Sequence, residues 1–384
     1  MASDRGRLEE SLGAVVDPVL GLPLAETSMI RSIHSRRHRA DVELAVPADD
    51  WPGLAELVAV VESVALADDE VREATVVAVE MDEDERTALR LALRRRMEGE
   101  TQPAAAGHAG HGHGHEAPEP AFLQPGSRTR VIGISSGKGG VGKSSVTVNL
   151  AIALVRAGNT VAILDADVYG FSVPKMLGGD RDPVIIGDMV IPTLVHGVRC
   201  LSMGYFVPED QPVIWRGPML HKAIEQFLGD AYWGEPDFLL VDMPPGTGDV
   251  TLSLAQVMPR AEIIVVTTPQ AAAQRVAQRS AFAARKLKLS VRGVVENMSW
   301  FTGDDGTRYE HFGRGGGAEL AGDLGVPLIG SIPLVPALRE GGDSGRPITV
   351  SDPDGEASKA FGAVAERVIA LGPARVYRRE LSLS

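Results

Sequence analysis

Residues 137–144 limit the folds open to this chain more than any other segment. They read Gly-Lys-Gly-Gly-Val-Gly-Lys-Ser, follow an apolar run that begins at Val131, and open a helical pattern that continues through Ala157. This spacing fits the G-x-x-x-x-G-K-[ST] phosphate loop, in which glycines bring backbone N–H groups close to phosphate oxygens at a helix N-terminus. We expect Lys143 to neutralise the β- and γ-phosphates and the Ser144 hydroxyl to ligate Mg²⁺. The predicted nucleotide-binding residues of the loop are Gly137, Lys138, Gly139, Gly140, Val141, Gly142, Lys143 and Ser144.

From about residue 129 onward, short apolar runs alternate with helical stretches. The runs are continuous rather than alternating, which indicates strands that are covered on both faces. The sequence therefore predicts an α/β fold with a doubly wound parallel sheet over residues 129–384, whose ligands bind at the carboxyl ends of the strands. The clearest runs begin at Val131, Val161, Phe238, Ile263, Val291 and Leu328, with a further buried strand over 198–203.

Residues 1–99 have a different pattern, typical of a small α/β domain. Val42, Leu44 and Val46 alternate with polar residues, as expected of a half-buried strand. Asp50 is predicted to cap a helix that runs through Val64, because apolar residues recur there at helical spacing. A second strand is expected over 75–79 and a second helix over 84–96.

Residues 100–128 join these two parts and contain few apolar side chains, so we expect a disordered linker. The linker holds a histidine-rich tract made of His108, His111, His113 and His115. Neutral imidazoles bind zinc, nickel or copper, which makes metal binding one interpretation of the tract. The other interpretation is a flexible linker with incidental histidines.

The overall composition excludes several classes of protein. The formal net charge is −13 and no basic stripe stands out, which argues against a nucleic-acid partner. No run of 18 apolar residues and no secretory signal pattern occurs, so we expect no membrane partner. The single cysteine, Cys200, rules out an internal disulfide and favours a cytoplasmic location.

Carboxylates follow two of the predicted strands. Asp165 and Asp167 come at the end of the predicted strand 160–164. Their like charges repel each other unless a cation or a water network binds them. The alternative is that the two carboxylates only form the turn that terminates the strand. Asp242 follows four apolar residues, the position from which a carboxylate holds Mg²⁺ directly or through water. The segment 242–249 contains two prolines and two glycines and is predicted to be a switch segment that responds to the γ-phosphate.

Asn297 follows the strand that begins at Val291. An amide at this edge of the sheet can recognise adenine through paired donor and acceptor groups. The alternative is a residue that caps a helix or forms a turn.

Four strings together resemble the Mrp/ApbC family of iron–sulfur cluster carrier ATPases. They are 135–144, Asp165-Ala-Asp-Val-Tyr-Gly, Val241-Asp-Met-Pro-Pro-Gly-Thr-Gly-Asp and Glu296-Asn-Met-Ser. The early lysine of the loop, Lys138, resembles that of the deviant Walker A class, which also includes ParA and MinD. More faintly, the string that begins at Asp17 is similar to the small iron–sulfur assembly domain that is often fused to these ATPases.

The resemblance implies a homodimer that binds ATP and Mg²⁺. Lys138 would reach the phosphates of the partner subunit, and Asp167 would orient the attacking water. Asp165 would support the Mg²⁺ shell, and Asn297 would read adenine. The implied catalytic residues are therefore Lys138, Lys143 and Asp167, and the implied metal residues are Ser144, Asp165 and Asp242.

The chain departs from the family pattern at the cargo site. Many members carry a Cys-x-x-Cys shortly after Asn-Met-Ser, and two subunits hold one [4Fe–4S] cluster with these thiolates. Here no cysteine lies between 297 and 317, and Asp304, Asp305 and His311 are poor substitutes for thiolates. Cys200 is expected to be a core residue, with cluster ligation across a dimer as the alternative.

The resulting prediction is an ATPase that assists iron–sulfur cluster assembly, or cluster transfer to apoproteins, together with client proteins or assembly factors. The alternative is a positioning or scaffold ATPase like ParA and MinD, whose dimer acts on a partner protein, DNA or a membrane. A small-molecule kinase is a third possibility, but no second substrate motif stands out and Lys138 argues against it.

Overall fold

The computed structural model describes residues 2–98, 127–168, 170–179, 181–206, 217–246 and 248–373. The chain divides into two compact units. The first unit comprises residues up to Gln124 together with Pro183–Thr193 and Leu228–Gly234, and the second comprises Pro125–Asp182, Leu194–Phe227 and the chain from Glu235 onward. The predicted linker lies almost wholly outside the described residues, and so does its histidine tract.

The first unit contains a three-stranded sheet in the order β1-β2-β3. β1 (Ile30–Arg36) pairs antiparallel with β2 (Arg39–Val46), and β2 pairs parallel with β3 (Glu73–Glu80). The sheet is accompanied by four helices: α1 (Ala2–Gly13), α2 (Leu24–Thr27), α3 (Leu54–Leu66) and α4 (Glu83–Met97). The small α/β domain is therefore confirmed, although α1, α2 and β1 were not predicted.

The starts of α3 and α4 show how local signals succeed and fail. α4 begins with a reciprocal capping box, because Asp82 accepts from the Glu85 backbone N–H while the Glu85 side chain accepts from that of Asp82. α3 begins later than predicted, at Leu54, and its N-cap is Gly53 with φ +73°. The prediction that Asp50 caps this helix is wrong. The residue at the N-cap has a left-handed backbone conformation, which glycine adopts without strain.

The second unit is built on an eight-stranded sheet in the order β15-β12-β11-β4-β10-β5-β9-β8. The strands are β4 (Arg130–Ser136), β5 (Val161–Asp165), β8 (Thr193–Val195), β9 (Val198–Ser202), β10 (Phe238–Asp242), β11 (Glu262–Thr267), β12 (Ser290–Glu296) and β15 (Leu328–Ser331). Every pair from β15 to β9 is parallel. The continuous apolar runs are buried, which confirms the doubly wound sheet.

Helices lie between the strands of this sheet along the chain and also follow the last strand. They are α5 (Lys143–Arg156), α6 (Val173–Leu177), α7 (Gly217–Asp230), α8 (Asp249–Val257), α9 (Ala271–Lys286), α10 (Gly316–Leu324), α11 (Pro336–Asp343), α12 (Ile348–Ser351) and α13 (Glu356–Ala370). A 3₁₀ helix spans Met203–Phe206, and a short hairpin pairs β13 (Phe301–Thr302) with β14 (Arg308–Tyr309). Within the described residues, no helix is both long enough and apolar enough to cross a bilayer.

A second hairpin from this part of the sequence belongs to the core of the first unit. β6 (Val184–Ile186) pairs antiparallel with β7 (Met189–Ile191), and Ile186, Met189 and Ile191 are buried in the core of the first unit. Asp188 at its turn forms ion pairs with Arg90 (3.2 Å) and Arg94 (2.6 Å) of α4. The sequence analysis did not predict this hairpin, because its strands of three residues are too short for a periodicity signal.

Candidate functional site

The glycine-rich loop between β4 and α5 is packed too closely for larger residues at two positions. A Cβ added to Gly137 would lie 2.2 Å from the Ala277 backbone nitrogen of α9. A Cβ added to Gly142 would lie 2.2 Å from Asn297 Nδ2, and Gly142 has φ +80° as the N-cap of α5. The loop therefore packs directly against α9 and Asn297, and the N-terminus of α5 that follows it supplies N–H groups of the kind that bind anions.

Lys143, the first residue of α5, is buried among carboxylates. Its Nζ lies 2.6 Å from Asp242 Oδ2 and 3.4 Å from Asp167 Oδ2. The Ser144 hydroxyl donates to the same Asp242 oxygen at 2.6 Å. The structure thus brings together four of the residues that the sequence singled out, from three separate segments of the chain.

Thr147 joins this cluster although the sequence analysis did not identify it. Its Oγ1 lies 2.7 Å from Asp242 Oδ1, and Asp242 is completely buried. Thr147 follows Lys143 by four residues and Ser144 by three, so helical spacing alone places it on the same face of α5. That spacing is the signal that could have found it.

Asp165 lies at the end of β5, next to Asp242 of β10, and is fully buried. It accepts hydrogen bonds from the backbone N–H groups of Asp167 (3.2 Å) and Val173 (3.3 Å) and from the Ser202 hydroxyl (3.1 Å). Burial, and after it the charge of Asp242, raises the pKa of Asp165 to about 7. Ser202, at the end of β9, is a second site residue that the sequence analysis missed.

Three carboxylates, from Asp165, Asp167 and Asp242, therefore share one lysine in a buried space. This excess of negative charge suits a divalent cation, and carboxylate and hydroxyl oxygens are the ligands that Mg²⁺ prefers. Among the described residues, no three or more His, Cys, Asp or Glu side chains form a group that could hold a metal ion by themselves. The donor set fits an ion that is completed by phosphate oxygens and water, as Mg²⁺ is in nucleotide sites.

Lys138 and Asn297 lie at opposite sides of the loop. Lys138 Nζ lies 3.4 Å from Gln270 Oε1, at the N-cap of α9. Asn297 Nδ2 donates to the Val141 carbonyl at 2.9 Å, whereas its buried Oδ1 has no hydrogen-bond partner. No helix begins at Asn297, so the capping alternative is wrong. An unpaired buried acceptor beside the loop is suited to a ligand that carries an N–H donor.

The hairpin β13–β14 occupies the stretch where the sequence lacks cysteines, and it is held by polar and aromatic contacts. Glu356 accepts from Trp300 Nε1 (2.9 Å), Thr302 Oγ1 (2.8 Å) and Arg308 (3.2 Å). The Arg308 guanidinium lies 4.5 Å from the centre of the Trp300 ring. Asp305 closes the turn by accepting from Thr307. The hairpin is therefore closed by its own side chains and by α13.

The position of Cys200 is that of a core residue rather than of a cluster ligand. It is fully buried in β9, in register with Ile163 of β5. Burial, with the charges of Asp165 and Asp242, raises the pKa of its thiol well above the usual range. The expectation of a core residue is confirmed, and this burial argues against the alternative that Cys200 ligates a cluster across a dimer.

A mostly parallel sheet with a glycine-rich loop, a buried loop lysine and a strand-end aspartate defines a P-loop NTPase. A protein-family model described as "NUBPL iron-transfer P-loop NTPase" matches residues 127–369. An iron-sulfur cluster carrier protein of Mycobacterium bovis is 42% identical over 94% of this chain and 91% of its own length. That of Mycobacterium leprae is 50% identical over 64% of this chain and 66% of its own length.

Solved structures agree with this class. A nucleotide-binding protein of Archaeoglobus fulgidus in complex with ADP has 33% identity and a TM-score of 0.53, over 61% of this chain and 93% of that one. The cell division ATPase MinD of Pyrococcus furiosus has 27% identity and a TM-score of 0.50, over 63% of this chain and 99% of that one. The chain belongs to the Mrp/NUBPL family of iron-sulfur cluster carrier P-loop NTPases.

Proposed function

We propose that this chain binds and hydrolyses ATP as a homodimer and that the nucleotide cycle assists iron–sulfur cluster assembly or transfer to apoproteins. The observation that carries the proposal is the contact of Lys143 with Asp242 and Asp167 beside Ser144. A lysine buried against carboxylates in this way is prepared to exchange them for phosphate oxygens, since both are anionic acceptors.

The cation-binding part of the site consists of Ser144 and Asp242, with Asp165 behind them. When bound, Mg²⁺ would neutralise phosphate charge that develops during transfer. Thr147 holds the second oxygen of Asp242, so that the carboxylate presents a fixed edge. Ser202 does the same for Asp165. These two hydroxyls position carboxylates and need not touch the nucleotide.

Asp167 and Asn297 have separate tasks in the proposal. Asp167 lies 3.4 Å from Lys143 and is 8% exposed, so its carboxylate has access to a water molecule that it can orient for attack. The unpaired Oδ1 of Asn297 supports an acceptor role towards the exocyclic amine of adenine.

Lys138 is proposed to act across the dimer. Among the described residues of its own chain, its ammonium group contacts the neutral amide of Gln270 at 3.4 Å, a long distance for a hydrogen bond. A lysine on such a weak contact beside a phosphate loop is free to move to the phosphates of a second chain, which would make ATP part of the interface.

The described residues do not fit a cluster held by this chain's own thiolates. The one cysteine is inside the sheet, and the hairpin after Asn297 is closed by Glu356 and aromatic rings. We therefore derive no step through a [4Fe–4S] cluster on this chain, and we assign the cluster to a partner protein that the nucleotide cycle acts on. The same observation favours a second candidate, a positioning ATPase that acts on a protein partner without any cluster.

The proposal is tested by measuring phosphate release from Mg²⁺-ATP, and by measuring the molecular mass of the protein in solution with and without ATP, which distinguishes monomer from dimer. Hydrolysis with ATP-dependent dimers supports the ATPase part. Anaerobic transfer of a preformed cluster from an assembly factor to an apoprotein, faster with ATP than with ADP, supports the iron–sulfur part. ATP-dependent dimers without any effect on transfer would favour the positioning ATPase instead.

A further inference from the structure

Gly246 lies in the predicted switch segment and is held at both ends of its backbone unit. Its N–H donates to the Ser136 carbonyl at 2.8 Å, and its carbonyl accepts from the Ser280 hydroxyl at 3.0 Å. Its φ of +95° is in the region that favours glycine. The segment after β10 is therefore fixed from two directions at one residue.

The Ser280 hydroxyl belongs to a short chain of hydrogen bonds. Ser280 is 3% exposed on α9, and its Oγ lies 2.9 Å from Ser135 Oγ of β4. Because a hydroxyl carries one proton and Ser280 donates it to Gly246, Ser135 must donate to Ser280. The chain runs in one direction, from β4 through α9 to the switch segment, and aligned hydrogen bonds of this kind strengthen each other.

α9 is also the helix that lies against the phosphate loop. Its Ala277, three residues before Ser280, approaches Gly137 so closely that no Cβ would fit between them. Its N-cap, Gln270, contacts Lys138. One helix thus contacts the loop, the early lysine and the switch segment, and Ser280 is the residue that bonds the switch.

We propose that Ser280 is a positioning residue that holds Gly246 of the predicted switch segment and so sets how strongly the site distinguishes ATP from ADP. The inference rests on the proposed function and adds to it that the segment after Asp242 responds to the γ-phosphate. Such a response requires two arrangements of the segment, and the bond from the Ser280 hydroxyl to the Gly246 carbonyl belongs to one of them. Loss of the bond should therefore change the relative stability of the two arrangements.

The test compares the dissociation constants of ADP and of a non-hydrolysable ATP analogue, each with Mg²⁺, by titration calorimetry. In Ser280→Ala the ratio of the dissociation constants of the ATP analogue and ADP should change by about 3- to 10-fold, the effect of one hydrogen bond on one of two states. Ser280→Thr keeps the hydroxyl and should restore the wild-type ratio.

The matched control is Ser358→Ala. Ser358 is likewise buried on a helix, α13, and its hydroxyl also bonds backbone carbonyls, those of Ile348 and Asp352. This control should lower the melting temperature without changing the ratio of affinities. A purely structural Ser280 would behave like Ser358, so an unchanged ratio in Ser280→Ala overturns the proposal.

Ser135→Ala provides a second variant in case Ser280→Ala does not fold. This variant leaves the bond from Ser280 to Gly246 but removes the hydroxyl that donates to the Ser280 oxygen. The ratio should therefore shift in the same direction as in Ser280→Ala and by less. No shift would contradict the proposal. Phosphate release separates this inference from the proposed function. A shifted ratio in a chain that hydrolyses no ATP would refute the ATPase alone, and normal hydrolysis with an unshifted ratio would refute the Ser280 role alone.

Discussion

The nucleotide site and the β13–β14 hairpin belong to the same compact unit but differ in how their charges are balanced. In the nucleotide site, Lys143, Asp167 and Asp242 are buried together, and the buried negative charge is left for a cation to balance. In the hairpin, the charges of Glu356 and Arg308 are already paired with each other and with Trp300. The side chains of the first region do not balance its buried negative charge, whereas the charged side chains of the second region are paired with each other.

This contrast indicates that nucleotide chemistry and cluster ligation are separable on this fold. A buried charge without its counterion is costly, so the nucleotide site has an excess of carboxylates that a bound cation would stabilise. The hairpin needs no metal to hold its shape. Variants in the first region should therefore change nucleotide binding and turnover, and variants in the second should change stability alone.

The largest effect is expected from Lys143→Ala. Without its ammonium group the carboxylates of Asp242 and Asp167 repel both each other and the phosphates, so nucleotide affinity should fall by about 100-fold or more. Titration calorimetry with ADP measures this, and the exposed Lys359→Ala is the control. Binding within a few fold of wild type would remove Lys143 from the phosphate site.

Lys138→Ala should separate binding from turnover. Among the residues that the structure describes, Lys138 has one long hydrogen bond within its own chain, to Gln270, so nucleotide affinity should change little. Hydrolysis in the dimer should fall by about 100-fold, less than for an arginine finger because lysine is a point charge. Phosphate release and ADP titration are measured side by side; equal losses in both would contradict a role across the subunit interface.

Thr147→Val tests the positioning of Asp242. Removing one neutral donor to a buried carboxylate should weaken Mg²⁺-nucleotide binding by about 10-fold. Thr147→Ser keeps the hydroxyl and should bind like wild type. Calorimetric titration at two Mg²⁺ concentrations is the measurement, and the absence of any Mg²⁺-dependent difference would show that Thr147 only packs α5.

Glu356→Ala is expected to have the smallest effect and to leave hydrolysis unchanged. It removes the partner of Trp300 and Thr302 and should lower the free energy of unfolding by about 1 kcal/mol, a modest figure because the site is partly exposed. Chemical denaturation at pH 7 measures this. A loss of ATPase activity at unchanged stability would contradict the independence of the two regions.

The contribution of Glu356 should also depend on pH. Burial raises the pKa of its carboxyl, but the hydrogen bonds from Trp300 and Thr302 and the charge of Arg308 outweigh it, so the folded-state pKa is lowered. A lowered carboxyl pKa stabilises the fold above the unfolded value and loses that effect as the pH falls through the folded one. The difference between wild type and Glu356→Ala should therefore shrink below about pH 4.

Much of the nucleotide site was predictable because its residues follow strands or open a helix. Parallel strands end at one edge, so Asp165 and Asp242 were expected at the same edge of the sheet, and the pairing of β5 with β10 makes them neighbours. Ser202 carries no such signal, since a serine after a buried strand is common and only the pairing of β9 with β5 brings it to Asp165. The same holds for Ser280, whose partner lies 34 residues away in sequence.

The first unit shows a different limit. Its strands and helices were largely recognised from periodicity, but the hairpin of β6 and β7 comes from 184–191, inside the region assigned to the other domain. Three-residue strands are too short for a pattern, and their position depends on tertiary contacts such as the hydrogen bond from the Tyr232 backbone N–H to the Val190 carbonyl of β7. A division of the sequence into consecutive domains cannot include a segment that packs in the core of the other unit.

The central claim is that this chain combines a working ATP site with no cluster of its own. Anaerobic reconstitution with iron and sulfide tests it most directly, with visible absorbance and bound iron measured in wild type and Cys200→Ala beside phosphate release. We predict ATP hydrolysis in wild type, and in both proteins the same absence of cluster absorbance. A cluster that forms in wild type and is lost in Cys200→Ala would contradict the account, because it would require the buried thiol to leave the sheet.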